Sequence, residues 1–169
     1  CVALMKYCRI PPGYLRNKFG FENLPEFDRE QWTILKKSIN SEIRELPEGL
    51  IGGSDISMEA ISAASYNCSL LPSGDRINLK PGPYSSIDKL EKMTLISNPP
   101  YGLRLRKNEN MEIFIKEFGD FLKQRCAGSG AWIYFGKREL IKSMGLRSSI
   151  KIPLHNGKLD GRLVLYEMY

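Results

Sequence analysis

The sequence predicts an α/β fold of the doubly wound, Rossmann-like kind, closed by a C-terminal antiparallel strand pair. Three observations carry that expectation. Short apolar runs at 50–55, 77–80, 93–97 and 131–135 read as strands. Between them lie segments whose apolar residues recur at steps of three and four, the spacing of one helical face. Near the end, Ile150–Leu154 and Arg162–Tyr166 flank a Gly-containing loop at Asn156-Gly157, which reads as a hairpin.

Residues 1–8 read as the tail of a helix that begins upstream, stopped by Pro11-Pro12-Gly13. Tyr14–Phe27 mixes Gly, Asn, aromatic and basic residues and reads as a long loop. Asp28 suits a helix N-cap with Gln31 three residues on. Trp32, Leu35, Ile39, Ile43 and Leu46 then fall on one helical face. Leu50–Asp55 reads as a short buried strand ending in an acid, and Ser57–Asn67 as a helix with Met58, Ile61 and Ala64 facing inward. Ile77–Lys80 is a third short strand, cut off by Pro81-Gly82-Pro83. Met93–Ser97 is the next strand and runs directly into Asn98-Pro99-Pro100-Tyr101. A helix follows with Met111, Phe114, Ile115, Phe118, Phe121 and Leu122 on one face, then the strand Ala131–Phe135 and a short helix Lys137–Met144. Trp132 and the aromatic stripe at 114–121 are expected in the core, and His155 in a loop without a catalytic part.

The chain has 169 residues, enough to bury one sizeable core, with 42% apolar and 26% charged residues. No apolar run approaches the roughly 20 residues of a membrane span, so no membrane partner is expected. The first residues lack the basic-then-apolar layout of a signal peptide. A formal charge of +6 leans toward polyanions such as nucleic acid, although charge alone decides little. Cys1, Cys8, Cys68 and Cys126 form no Cys-x-x-Cys pair, and the lone His155 is near none of them. Reduced thiols, a cytoplasmic location and no metal site are the expectation.

Asn98-Pro99-Pro100-Tyr101 is the sharpest chemical signal, because ligands in open α/β sheets bind just beyond the carboxyl ends of strands. An exocyclic amino group on a nucleobase is a poor nucleophile, since its lone pair is delocalised into the ring. Two acceptors that hold its N–H bonds near tetrahedral geometry would activate it. The side-chain oxygen of Asn98 and the carbonyl of Pro99 are suited to that task. Neither proline offers a competing N–H, and their fixed φ preorganises the acceptors. Tyr101 supplies a flat face for a flipped-out base. The methyl then passes in line from a sulfonium donor, without a strong general base. Gly53-Ser54-Asp55 is the second signal: an acid at the end of a strand in a nucleotide-binding unit can accept from ribose hydroxyls. Ile56 is placed to pack on the cofactor adenine.

Four stretches together carry a resemblance. They are Pro11-Pro12-Gly13 leading into Phe19-Gly20-Phe21; Gly53-Ser54-Asp55; Asn98-Pro99-Pro100-Tyr101-Gly102 with Arg104-Leu105; and Asn156-Gly157 with Leu159-Asp160-Gly161-Arg162-Leu163. In that order the chain resembles the bacterial methyltransferases that pair a THUMP RNA-binding domain with a catalytic domain and methylate N2 of guanine in large-subunit ribosomal RNA. The resemblance implies S-adenosylmethionine as cofactor, with Asp55, Ile56 and Asn98 binding it. It implies Asn98, Pro99, Pro100 and Tyr101 at the target amino group. Basic residues fall in two loops, Arg16 and Lys18, then Arg104, Arg106 and Lys107, and contact with RNA phosphates and a solvated charged loop are both open readings of them. The resemblance also implies that residues 1–169 are part of the catalytic domain, with the first strand, its Gly-rich loop and the THUMP domain missing from this chain. Pro83 stands where such proteins often carry an acid for the cofactor adenine, and no residue is assigned to that contact. Two other readings stay open: an adenine-N6 methyltransferase on DNA or RNA, and a catalytically incompetent RNA-binding fragment. Oligomeric state is not legible.

Overall fold

A computed structural model describes residues 1–100, 111–157 and 159–169. The chain divides into two compact units, Cys1–Pro83 and Tyr84–Tyr169.

In the first unit, α1 (Val2–Cys8) ends at Arg9, whose backbone is left-handed at φ 58°. After the proline turn, residues 14–27 form irregular chain containing one 3₁₀ turn at Gly20–Asn23. Helix α2 (Arg29–Ser41) starts where expected, because one carboxylate oxygen of Asp28 accepts the N–H groups of Glu30 and Gln31. It stops earlier than its apolar spacing implied. Ile43 and Leu46 lie beyond it, and Leu46 is buried from irregular chain rather than from a helical face. Helix α2 itself buries no residue, with Leu35 half exposed and Ile39 not far behind.

Strands β1 (Gly52–Asp55) and β2 (Asn78–Pro81) pair in parallel, Gly52 opposite Asn78 and Asp55 opposite Pro81. β1 is exposed along its length, not buried as expected. Two of its four residues are glycines, which leave little side chain to cover. Helix α3 (Met58–Ser69) joins the two strands and buries Cys68, with Ile61 and Ala64 half-buried. Met58 is exposed, contrary to expectation, because it sits in the first turn beside the exposed end of β1. The core of this unit is small: Leu4, Cys8, Ile10, Leu46 and Leu71, with Met5, Tyr7, Ile43, Ile51 and Ile77 around them.

In the second unit, β3 (Thr94–Ser97), β4 (Gly130–Phe135), β5 (Ile150–Asn156) and β6 (Leu159–Glu167) form one sheet in the order β3-β4-β6-β5. β3 and β4 are parallel, whereas β6 runs antiparallel to both of its neighbours. This is the expected reversed pair, turned at Gly157, whose φ of 59° suits glycine. The described strands thus make two sheets, and β1 and β3 are each an edge strand.

Helix α4 (Met111–Arg125) buries Ile115, Phe118, Phe121 and Leu122 on one face, the face its spacing predicted. That face packs with Ala131, Ile133, Phe135, Val164 and Tyr166 of β4 and β6. Gly119 lies where α4 meets the carbonyl of Met144, and a Cβ there would overlap that oxygen. Arg138–Met144 forms a 3₁₀ segment that buries Leu140 and Met144. Two expectations are corrected here. Trp132 is only half-buried, because alternate residues of β4 face opposite sides of the sheet. His155 lies in β5, paired with Asp160 of β6, not in a loop.

Candidate functional site

The position of Asn98 is set by how β3 is anchored. Ser129, a buried polar residue, accepts the N–H of Met93 at 2.9 Å and donates its hydroxyl to the carbonyl of Leu90 at 2.6 Å. The N–H of Lys92 donates to the carbonyl of Ala127, and that of Gly130 to the carbonyl of Met93. The strand then pairs with β4 from Thr94 opposite Gly130 to Ser97 opposite Ile133. Leu95 packs toward the core while Ile96 stays largely exposed on the other face.

Asn98 leaves this strand at its carboxyl end. Its side chain is exposed, Pro99 is buried and Pro100 is half-buried. The described residues offer the Asn98 amide no hydrogen-bond partner. Asn98 therefore presents an open amide at the strand end, with no backbone N–H from residues 99 and 100 beside it. Tyr101, Arg104, Arg106 and Lys107 lie outside the described residues.

Asp55 occupies the corresponding place in the first unit, at the carboxyl end of β1. Its Oδ1 accepts the N–H of Ser57 at 2.8 Å, and its carbonyl accepts the N–H of Gly82 at 2.8 Å. These bonds fix the carboxylate at the turn into α3 and leave Oδ2 without a described partner. Ser57 caps α3 by accepting the N–H of Ala60, and donates its hydroxyl to Glu59. That bond holds the Glu59 carboxyl below its usual range. Ile56, between Asp55 and Ser57, is 79% exposed. A fixed carboxylate with an open acceptor oxygen beside an exposed aliphatic side chain fits the hydroxyls of a ribose and an adjoining flat base. A Cβ on Gly53 would come within 3.2 Å of the Leu79 side chain on the paired strand.

Arg16 and Lys18 are exposed in the irregular chain of the first unit, with Arg16 5.4 Å above the ring of Phe19. The sequence reading passed over what surrounds them. Phe19 and Phe21 stack at 5.3 Å, and Trp32 meets both edge-on at 5.5 and 5.0 Å. A cavity of about 500 Å³ opens beside this group. Phe19-Gly20-Phe21 so close before an amphipathic helix carrying Trp32 was the available signal. Residues 14–27 are irregular chain, as their composition predicts, so no period links Phe19 and Phe21 to Trp32.

In the second unit, Asp160 of β6 gathers charge. It accepts from Arg162, lies 3.4 Å from Arg138 and 3.4 Å from His155, and its carboxyl is held below the usual range mainly by the Arg162 hydrogen bond. A Cβ on the neighbouring Gly161 would overlap the Tyr134 phenol. The Leu159–Leu163 stretch thus reads as hairpin architecture. The four cysteines are free, with the Cys1 and Cys68 sulfurs 3.8 Å apart. Among the described residues no three His, Cys, Asp or Glu side chains gather as a metal site, and no helix is long and apolar enough to cross a membrane.

The chain is similar to known proteins. A protein of Synechocystis sp., slr0064, provisionally named an RNA methyltransferase, is 34% identical over 168 residues, which is 99% of this chain and 44% of that protein. The ribosomal RNA large subunit methyltransferase K/L of Photobacterium profundum is 29% identical over 170 residues, 97% of this chain and 24% of its own length. The chain thus spans less than half the length of these relatives. Among solved structures, SMU.472, crystallised as a methyltransferase with S-adenosylhomocysteine, is 25% identical with a TM-score of 0.80 over 99% of this chain and 44% of its own. A methylase structure from Clostridium difficile 630 has a TM-score of 0.84 at 23% identity over 99% of this chain and 44% of its own, a likeness of fold. Residues 3–164 match the family described as RMKL-like, methyltransferase domain, and the chain belongs to that family.

Proposed function

We propose that this chain transfers a methyl group from S-adenosylmethionine to an exocyclic amino nitrogen of a nucleobase in RNA, and that the target is N2 of a guanine in large-subunit ribosomal RNA. The observation that carries the reading is the open amide of Asn98 at the end of an anchored strand, followed by a buried and a half-buried proline. The names of the relatives support RNA as the substrate class. A cytoplasmic location would follow from that substrate.

S-adenosylmethionine supplies an electrophilic methyl group on a sulfonium sulfur, which departs as a neutral thioether. Asp55 would hold the cofactor through its ribose hydroxyls, accepting with its open oxygen, and Ile56 would pack on its adenine. Asn98 would contribute to holding the cofactor and, with its side-chain oxygen, would accept one N–H of the target amino group. The carbonyl of Pro99 would accept the other. As the nitrogen attacks, it gains positive character, and both acceptors then bind it more strongly than in the ground state. Pro100 keeps the turn rigid, and Tyr101 stacks on the base. The extra proton leaves to water after the N–C bond forms. Arg16, Lys18, Arg104, Arg106 and Lys107 position the RNA through its phosphates.

Calorimetric titration of S-adenosylhomocysteine, combined with transfer of labelled methyl groups to unmodified ribosomal RNA and to duplex DNA, tests this. Asp55→Ala should weaken cofactor binding about 10- to 100-fold, the scale of lost hydrogen bonds to a charged group. Asn98→Ala should lower kcat about 100- to 1000-fold, by analogy with removal of one preorganised polar group from an acyl-transfer site. Labelling of duplex DNA alone would replace guanine in RNA by adenine in DNA. Cofactor binding by neither wild type nor variant would overturn the reading for this chain.

A further inference from the structure

Phe19, Phe21 and Trp32 pack on one another as an aromatic group that is only partly buried. Helix α2 contributes no residue to the core, and none of the three rings belongs to the core of the first unit. Phe21 is 41% exposed, and Phe19 and Trp32 are half-buried. Large rings normally supply core area, so three of them held against each other at the surface need another explanation. The adjoining cavity of about 500 Å³ lies within the size range of small-ligand sites. Pro11, Phe19, Trp32 and Ile39 give it apolar walls, and Lys36 and Asn40 give it polar edges.

Lys36 lines the cavity and Arg16 lies over Phe19 in its wall, on a stretch, 14–40, that carries five basic and four acidic residues. The Lys36 ammonium is 5.9 Å from the Trp32 centroid, at the outer limit of a cation–π contact, and no described acid pairs with it. Arg16 sits over Phe19 and likewise has no acidic partner among the described residues. Lys18 and Lys37 are exposed on the same stretch. Four acids lie on the same stretch, of which Glu26 and Glu30 are exposed. Glu22 accepts the Phe19 N–H and lies 3.9 Å from Arg29, and Asp28 caps α2. Flat aromatic walls with unpaired cations at the rim match single-stranded nucleic acid: the walls stack a base, and the cations meet its phosphates.

Resting on the reading of the chain as an RNA methyltransferase, we propose that this cavity holds one unpaired base of the RNA substrate, other than the base that is methylated. The base stacks on Trp32, Asn40 hydrogen-bonds its edge, and Lys36 and Arg16 contact the flanking phosphates. The site would select an unpaired stretch near the target, which the catalytic turn by itself does not read.

The test uses a mixed-sequence single-stranded oligoribonucleotide carrying 4-thiouridine. Its affinity is measured by anisotropy for wild type, Lys36→Glu and Trp32→Phe, and crosslinked peptides are mapped after irradiation. Cooperative melting of each variant establishes that it is folded, and S-adenosylhomocysteine titration runs alongside. The expected result is a crosslink within residues 11–40 and affinity about tenfold weaker for Lys36→Glu, with cofactor binding unchanged. Trp32→Phe keeps the aromatic packing and should lose only part of the affinity. Wild-type affinity in Lys36→Glu, or crosslinks confined to peptides outside 11–40, overturns the proposal even if methyl transfer proceeds. A crosslink at 11–40 without methyl transfer to any RNA would leave the cavity standing and remove the methyltransferase reading instead.

Discussion

The two compact units place their apolar residues differently. In Tyr84–Tyr169, one face of α4 and the inward residues of β4 and β6 meet in a core where Ile115, Leu122, Ile133 and Val164 are at most 1% exposed. In Cys1–Pro83, the core rests on α1, the chain around Leu46 and the turn after α3, while α2 and β1 bury nothing. The first unit keeps aromatic and charged side chains at its surface, and its glycine-rich strand brings backbone near the proposed ribose contact. More apolar side chains are buried in the unit that holds Asn98 than in the unit that holds Asp55. Elements with few buried apolar contacts are those expected to open first.

Truncation should expose that contrast most strongly. Leu122→Ala removes a fully buried side chain between helix and sheet and should cost about 2–5 kcal/mol. Leu35→Ala on α2, where the side chain is half exposed, should cost under about 1 kcal/mol. Urea unfolding followed by circular dichroism measures both. Equal costs would mean that α2 is covered in solution by something the described residues lack, and the contrast between the units would fail.

The same contrast governs what could be read from sequence. The face of α4 is legible because a buried face imposes its period on the residues that form it, the run at 131–135 because it is continuously apolar, and the hairpin because of its Asn156-Gly157 turn, although β5 is exposed. Helix α2 began where Asp28 predicted, since a cap is local chemistry. Its end was misread because Ile43 and Leu46 continue the helical spacing by coincidence, while their burial comes from chain that is no longer helical. β1 was expected to be buried because Leu50 and Ile51 precede it, yet the strand proper is Gly52–Asp55, which has little to bury. For the site, the strand-end positions of Asp55 and Asn98 were legible, because both follow short strands and precede turn-forming residues. The aromatic group was not, since Phe19 and Trp32 meet across irregular chain that carries no period.

Within the denser unit, Tyr166 sharpens the comparison. Its phenol is buried with no described hydrogen-bond partner, and burial pushes its pKa up to about 12. In the unfolded chain a tyrosine ionises near 10. Between those values the unfolded state has released the proton and the folded state has not, so stability falls as pH rises from about 10 to about 12. Tyr166→Phe should remove that alkaline loss and leave neutral stability equal or higher by up to about 1 kcal/mol, since it removes an unpaired buried polar group. Urea midpoints at neutral pH and above pH 10 measure this. A variant less stable than wild type at neutral pH would mean that the phenol has a partner outside the described residues.

The smallest effect belongs to Asp160, the exposed counterpart of that buried phenol. Arg162 first, then Arg138 and His155, hold its carboxyl below the usual carboxylate range. A depressed folded pKa contributes stability that is complete above the unfolded value of about 4 and fades as pH falls through the folded value. Asp160→Asn should therefore be slightly less stable than wild type at pH 6–7, with the gap closing as the pH is lowered below about 4. High salt should shrink the gap at neutral pH as well, because the partners are solvent-screened. Thermal melts at three pH values and two salt concentrations separate the possibilities. A gap that persists in acid would trace instead to the geometry of the hairpin at Gly161, where the chain passes too close to Tyr134 to tolerate any shift, and the charge cluster would then contribute nothing to stability.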